Sequence, residues 1–302
     1  MAYARHQSFY IRDKWVSKGL RAVLEDGRFF YDPEGFEKIG LGKNMVQSLR
    51  FWLNAMNLIE EAIIDGEKIH QLTNLGHIIY RSDRLLRKKE TVSILHYQLV
   101  RNKGDLSTVF DWYFNIYKEN VSQRESLLKS FSAFVKVYEG KEISINSLKK
   151  DIDCLVQLYT KKANEMDPED IIFSPFTKID VVTEELSEDG MENIRKVIPE
   201  INDIGIVALY YVLLSYSIEN DVEMVSVEEI INEKNLWGKV FNLSRNKVIE
   251  ALNVLTNHDL YPVEYVRTNN LDTVRIPKVD CMEYLENELN LNIEQVLITN
   301  GI

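Results

Sequence analysis

One helical stripe constrains the front of this chain more than any other feature. Residues 43–59, KNMVQSLRFWLNAMNLI, place Met45, Val46, Leu49, Trp52, Leu53 and Met56 at i, i+1, i+4, i+7, i+8 and i+11. That spacing predicts a helix with one face in a core. Downstream, Asp65-Gly66-Glu67 separates two short β-prone runs, Ala62–Ile64 and Lys68–His70, which is a hairpin signal. Thr73-Asn74-Leu75-Gly76 then opens a further helix. Asp32-Pro33-Glu34-Gly35 and Gly40-Leu41-Gly42 punctuate the approach to the long helix. Helix, turn, long helix, hairpin and helix is the order of a winged helix-turn-helix.

The same order recurs near the other end. Ser226-Val227-Glu228-Glu229 has the spacing of a capping box and begins a helix through Glu233. A second helix starts at Leu243-Ser244-Arg245, with Val248, Ile249, Leu252 and Leu255 on its inner face. Two strands, Pro262–Val266 and Leu271–Ile276, flank Asn269-Asn270, residues that tolerate the positive φ of a tight turn. Helical stretches are predicted between these modules at 90–102, 107–118, 123–138 and 144–163. Residues 164–190, with two prolines and many acids, read as an irregular connector. With 13 Gly, 6 Pro and no repeat of 20–50 residues, a solenoid or propeller does not fit. The expected fold is therefore mainly α, with winged helix-turn-helix modules at the N- and C-terminal ends joined by a helical middle region. Its expected divisions are 1–85, 86–200 and 201–302.

The uncharged apolar run Ile204–Ile218 spans 15 residues, short of the roughly 20 that cross a bilayer, and predicts a buried helix or the face of a homodimer. The first residues lack the apolar core of a signal peptide. Cys154 and Cys281 have no metal-ligand spacing around them and read as reduced thiols. A cytoplasmic protein without a membrane partner is expected.

Net charge is −11, but it is unevenly distributed. Residues 1–160 carry 24 Lys+Arg against 20 Asp+Glu, and residues 161–302 carry 12 against 27. The front half suits a polyanion better than the back half does. Helical periodicity gathers Lys43, Gln47, Arg50, Asn54 and Asn57 on the outer face of the first strong helix, with Asn44 and Ser48 alongside and no acid from residue 43 to 59. Cations meet phosphates or guanine, and amides can pair with adenine, so this face suits duplex DNA. A solvated or protein-binding face would show the same pattern. Arg81, Arg84, Arg87, Lys88 and Lys89 form a second basic cluster that could follow a phosphate backbone. In the C-terminal module Arg245, Lys247, Arg267 and Arg275 are interleaved with Glu250, Glu264 and Asp272, which favours a structural or protein-contacting role.

Catalytic signatures are sparse. Gly42-Lys43 resembles the end of a phosphate loop, but Glu37 stands where its first glycine belongs and Asn44 where its hydroxyl belongs. There is no G-x-S-x-G, H-E-x-x-H or G-x-G-x-x-G. A Mg²⁺- or Mn²⁺-dependent nickase would need clustered carboxylates. The local candidates are Asp65 with Glu67, Asp151 with Asp153, and Glu139, and Asp151 and Asp153 lie about 200° apart on a helix. His6 is either part of a cap folded over the first module or a functional histidine.

A family resemblance covers most of the chain. His6-Gln7-Ser8-Phe9 with Trp15 comes first, followed by Gly42-Lys43-Asn44-Met45-Val46 with Ser48, Arg50, Phe51 and Trp52, then Leu72-Thr73 and Gly76. Further blocks are His96-Tyr97-Gln98-Leu99, Trp112-Tyr113-Phe114-Asn115, the run from Ser147 to Cys154, Glu169-Asp170, and Ser174-Pro175-Phe176. Together they resemble the DUF4007, SspB-like family of bacterial DNA-modification and phage-defence islands. The resemblance implies a component of a DNA phosphorothioation system, with cysteine desulfurase, sulfurtransferase-like and ATPase partners and a DNA-nicking role. It supplies no catalytic residues. Combined with the helix face, it leads to the expectation of a double-stranded DNA reader, with a nickase or a protein adaptor as the alternatives.

Overall fold

The computed structural model describes residues 3–12, 14–160, 173–187, 190–267 and 271–289. It is mainly helical, with three small sheets. The first region packs α1 (Trp15–Glu25) against α3 (Lys43–Ala55), with a 3₁₀ turn at Phe29–Tyr31 and the short α2 (Gly35–Lys38) between them. Leu49, Trp52, Leu53 and Met56 are fully buried, as the stripe requires, whereas Met45 and Val46 are half-buried near the helix start. Phe51 lies off the stripe yet is buried, because the N-terminal turn folds over it and sets the His6 ring edge-on to it. The helix stops at Ala55 rather than running to residue 59, and Asn57 at φ 55° turns the chain out of it.

The hairpin forms where the Asp-Gly pair places it. Strands β1 (Ile59–Ile64) and β2 (Glu67–Leu72) pair antiparallel with Ile64 opposite Glu67, and Asp65 and Gly66 both take positive φ. Helix α4 (Asn74–Asp83) follows, and the Thr73 hydroxyl caps it by accepting from the Gly76 amide at 3.0 Å. Gly76 is there for space: a Cβ would stand 2.1 Å from the Leu58 carbonyl oxygen.

In the middle region, α5 (Lys89–Arg101) is buried all round from Thr91 to Val100. Around it lie α6 (Thr108–Asp111), which runs into a π-helical turn at Trp112–Ile116, and the helices α7 (Arg124–Glu139) and α8 (Ile145–Thr160). The expected irregular connector is only partly irregular. Pro175–Ile179 forms a 3₁₀ helix capped by Ser174, and β4 (Val182–Leu186) pairs antiparallel with β5 (Glu192–Lys196), which also pairs with β3 (Val121–Ser122). Val181, Val182 and Ile194 are buried there, and this outweighs the acids around them. Residues 161–172 of that stretch, with Glu169 and Asp170, lie outside the described residues.

The last region begins with α9 (Ile201–Ile204) and α10 (Ile206–Asn220). Ala208–Ser215 are buried within the chain's own core, where the Tyr211 hydroxyl accepts from Gln98 of α5 at 2.9 Å. Core burial thus accounts for the middle of the apolar run, while Ile218 at its end is exposed. Strand β6 (Met224–Ser226) leads into α11 (Val227–Asn232) through the Ser226–Glu229 capping box. Next come α12 (Trp237–Val240), α13 (Arg245–Leu255), β7 (Glu264–Arg267) and β8 (Asp272–Arg275), in a sheet of order β6-β8-β7. Helix α12 is an addition to the expected pattern, anchored by the buried Trp237, whose indole N–H donates to the Leu209 carbonyl at 2.8 Å. Asn269 and Asn270, the expected turn residues, lie outside the described residues. A helical stretch at 281–289 closes the described chain. One contiguous hydrophobic cluster reaches from Tyr10 to Leu289, and among the described residues no helix is long and apolar enough to cross a membrane.

Candidate nucleic-acid interface

The outer face of α3 does not stand proud of the molecule. The N-terminal turn rises on one side of it and the hairpin on the other, so Gln47, Arg50 and Asn54 become the floor of a cleft of about 570 Å³. Arg5 and Gln7 from the turn, Phe30 from the 3₁₀ segment, Glu61 from β1 and Leu106 from the loop after α5 supply the rest of its lining, with Val46 and Phe51. Lys43 and Asn44 are exposed at the start of the helix.

Arg50 is the most constrained of these groups. Its guanidinium lies 4.8 Å from the Tyr31 ring centroid, and its Nη2 donates to Glu61 Oε1 at 2.6 Å. The Tyr31 hydroxyl donates to the same carboxylate oxygen at 3.0 Å. Burial alone would raise the Glu61 pKa, but the Tyr31 hydroxyl and the Arg50 cation overcome it and hold the carboxyl below its usual range. Behind them the His70 ring stacks on Tyr31 at 5.1 Å and is fully buried, with no hydrogen-bond partner for either ring nitrogen among the described residues. Burial first, and then the neighbouring Arg50, push its pKa down to about 4. His70 is thus a neutral spacer behind a charged pair.

The acid-free stretch therefore does not give an acid-free face. Glu61, two residues beyond that stretch, folds back through the hairpin and neutralises Arg50. Ser48 leaves the set of groove contacts altogether: it is buried, and its hydroxyl donates to the Phe9 carbonyl at 3.2 Å beside the Trp52 indole, which donates to the same oxygen at 2.9 Å. Asn54 spends its Nδ2 on the Arg50 carbonyl at 2.8 Å. Asn57 sits past the helix end, its carbonyl accepting from Thr73 Oγ1 at 2.7 Å. Arg81 and Arg84 do not reach the cleft. Arg81 is held by Glu286 at 2.6 Å in a separate groove with Asn74 and His77, and Arg84 lies over the Tyr80 ring. In the C-terminal module Arg245 is bound by Glu228 and Asp272, and Lys247 by Glu200 and Glu250.

His6 serves as part of a cap. Its Nδ1 accepts from the Ser8 amide at 3.1 Å, which leaves the proton on Nε2, and Nε2 donates to Asp151 Oδ1 of α8 at 2.8 Å. The Ala4 amide donates to the same oxygen at 2.9 Å. Both imidazole nitrogens are committed and the ring is buried, so the pair fastens the N-terminal turn to α8. A small cavity of about 20 Å³ beside it, lined by Ser107 and Thr108 as well, has room for a water and not for a nucleotide.

The carboxylates weighed for a metal do not converge. Asp151 binds His6, Asp153 binds Arg124, Glu67 binds Arg28, and Glu139 accepts from Tyr3. No group of three His, Cys, Asp or Glu among the described residues is placed to hold a metal ion.

Residues 3–289 match the family described as "Protein of unknown function (DUF4007)". The chain belongs to the DUF4007 family. It also shares its fold with two crystal structures of SspB. The magnesium-bound form aligns at a TM-score of 0.83 and 19% identity, covering 96% of this chain and 88% of that one. A second SspB structure aligns at 0.80 and 19% identity, with the same coverage. No curated protein matches the sequence. Most of the blocks that carried the family resemblance are structural. His96 is buried between the Tyr159 hydroxyl and the Val240 carbonyl at 2.7 Å each, and Asn115 exchanges two hydrogen bonds with Asn235. Among the described residues, only the blocks of the N-terminal turn and α3 open onto the cleft. Arg5, Gln7, Phe30 and Glu61 escaped the sequence-based reading, because a helical wheel describes one helix and these residues come from three other segments.

Proposed function

We propose that this DUF4007 protein is the DNA-binding component of a phosphorothioation or related phage-defence system, contacting DNA through α3 and the β1–β2 hairpin as a winged helix. The observation that carries this reading is the cleft floor itself, where Gln47, Arg50 and Asn54 from one helix face lie together with Arg5 and Gln7. Amides and guanidinium groups without a net negative charge are the chemistry of base edges and phosphates. The likeness in fold to SspB supports the choice of system. In the C-terminal elements from β6 to β8, Arg245 and Lys247 are already paired with acids, which supports a structural or protein-contacting part for that region. Partners from a defence operon, a cysteine desulfurase, a sulfurtransferase-like protein and an ATPase, belong to this reading.

The test is a salt titration of DNA binding by fluorescence anisotropy. Arg50→Ala and Lys43→Ala each weaken binding about tenfold and reduce the slope of log K against log salt by about one, while Arg245→Ala changes neither. Equal losses from Arg50→Ala and Arg245→Ala would overturn the placement of DNA on α3. Absence of binding at any salt would leave the adaptor reading in its place. Relaxed plasmid that persists after deproteinisation, only with Mg²⁺ or Mn²⁺, would establish a nickase.

A further inference from the structure

The concavity of the α3 face has a consequence for what it can hold. A recognition helix reads duplex DNA by projecting a convex face into the major groove. Here Gln47, Arg50 and Asn54 line a cleft together with Arg5 and Gln7 of the N-terminal turn, Phe30, Glu61 of the hairpin and Leu106. Paired bases offer their edges only from inside a groove, so they cannot descend into a hollow. An unstacked base can, because it projects from its strand.

The volume and lining suit such a group. About 570 Å³ lies within the ~300–1,000 Å³ common for small-molecule sites. Gln7 and Gln47 are exposed amides that offer a donor and an acceptor each, as a base edge requires. Arg5 is an exposed cation for its phosphate, Arg50 can join it only by leaving its pair with Glu61, and the half-buried Phe30 supplies an apolar ring.

We propose that the cleft between the N-terminal turn, α3 and the hairpin receives one unstacked nucleotide of a DNA strand. This rests on the reading of α3 as the nucleic-acid face and narrows its substrate from paired DNA to a strand with an extruded base. The same chemistry would accept a free nucleotide, and the experiment separates the two sources.

Anisotropy measurements would compare a fully paired duplex, the same duplex with one bulged nucleotide, a single strand, and free 2-aminopurine nucleotide followed by its own fluorescence. The bulged duplex and the single strand are expected to bind about tenfold more tightly than the paired duplex, and free nucleotide far more weakly than either. Gln47→Ala and Gln7→Ala, both at exposed positions, are expected to remove that preference. Lys43→Ala, outside the cleft lining, should lower binding to all DNA forms alike. In the bulged duplex, 2-aminopurine at the bulge should change in intensity with the natural protein and not with Gln47→Ala. Equal affinity for paired and bulged duplexes, or a preference that survives Gln47→Ala, overturns the proposal while leaving α3 as a DNA face. Free nucleotide binding as tightly as the bulged strand overturns it in favour of a nucleotide site. Failure to bind any DNA overturns this proposal and the DNA-binding reading together.

Discussion

Arg50 shows how a single residue's role depends on a neighbour that the local sequence does not contain. In the helix alone it is an unopposed cation; in the fold it is half of an ion pair with Glu61, at 2.6 Å and with both side chains partly exposed. Pairs this exposed contribute about 0–1 kcal/mol to stability, so the pair is better understood as a competitor for DNA than as a support for the fold. Glu61→Gln is therefore expected to raise DNA affinity about three- to tenfold by removing that competition and a repelling charge, with little change in melting temperature. Anisotropy and a thermal melt on the same sample check both halves, and unchanged or weakened binding would remove Arg50 from the contact set. Ser48 and His6 carry the same lesson in the other direction. Both belong to the family-like blocks, and both turn out to spend their polar atoms inside the protein.

At the scale of elements, local signals were dependable wherever the chain supplies its own partner. The Asp65-Gly66 turn, the Thr73 cap and the Ser226–Glu229 capping box form where their spacing predicts them. Each is closed within a few residues by backbone geometry and one or two hydrogen bonds. Gly76 extends this logic to a contact between elements, since α4 can approach the segment after α3 only without a Cβ. Gly76→Ala is expected to destabilise the protein by about 3 kcal/mol through that clash, although alanine is the better helix former. Urea unfolding measures it, and a neutral or stabilised variant would mean that α4 shifts freely. In the later part of the 164–190 stretch the composition points to an irregular connector, whereas the chain forms a 3₁₀ helix and a strand. Strands β4 and β5 take their stability from each other and from the core beneath them, and composition alone does not record that pairing.

At the scale of the whole molecule, two buried histidines couple stability to pH. Burial pushes both His70 and His96 down to about 4, against the ordinary 6.5, and a hydrogen bond to the Val240 carbonyl only partly offsets this for His96. Between those values the unfolded chain takes up protons that the folded chain refuses, so stability falls as pH falls from about 6.5 towards 4. At pH 5 the loss is about 2 kcal/mol for each ring. Urea midpoints at pH 7 and pH 5 test this, and a flat profile would show that the rings are reached by water. His96 also joins α5, Tyr159 of α8 and the end of α12, so its protonation would loosen the continuous core that links all three expected divisions of the chain.

Sequence by itself determined the mainly helical character, the burial of Ala208–Ser215, the first hairpin and the caps, because those follow from periodicity and from hydrogen bonds closed over short distances. It also assembled the polar face of α3, since helical spacing alone brings Gln47, Arg50 and Asn54 together. Only the tertiary structure decided what that face is. The His6–Asp151 hydrogen bond spans 145 residues and sets the N-terminal turn beside α3, and the hairpin returns Glu61 to Arg50. These contacts turn an exposed ridge into a cleft. They depend on separate elements sharing one core, and one-dimensional spacing carries no record of which elements will meet.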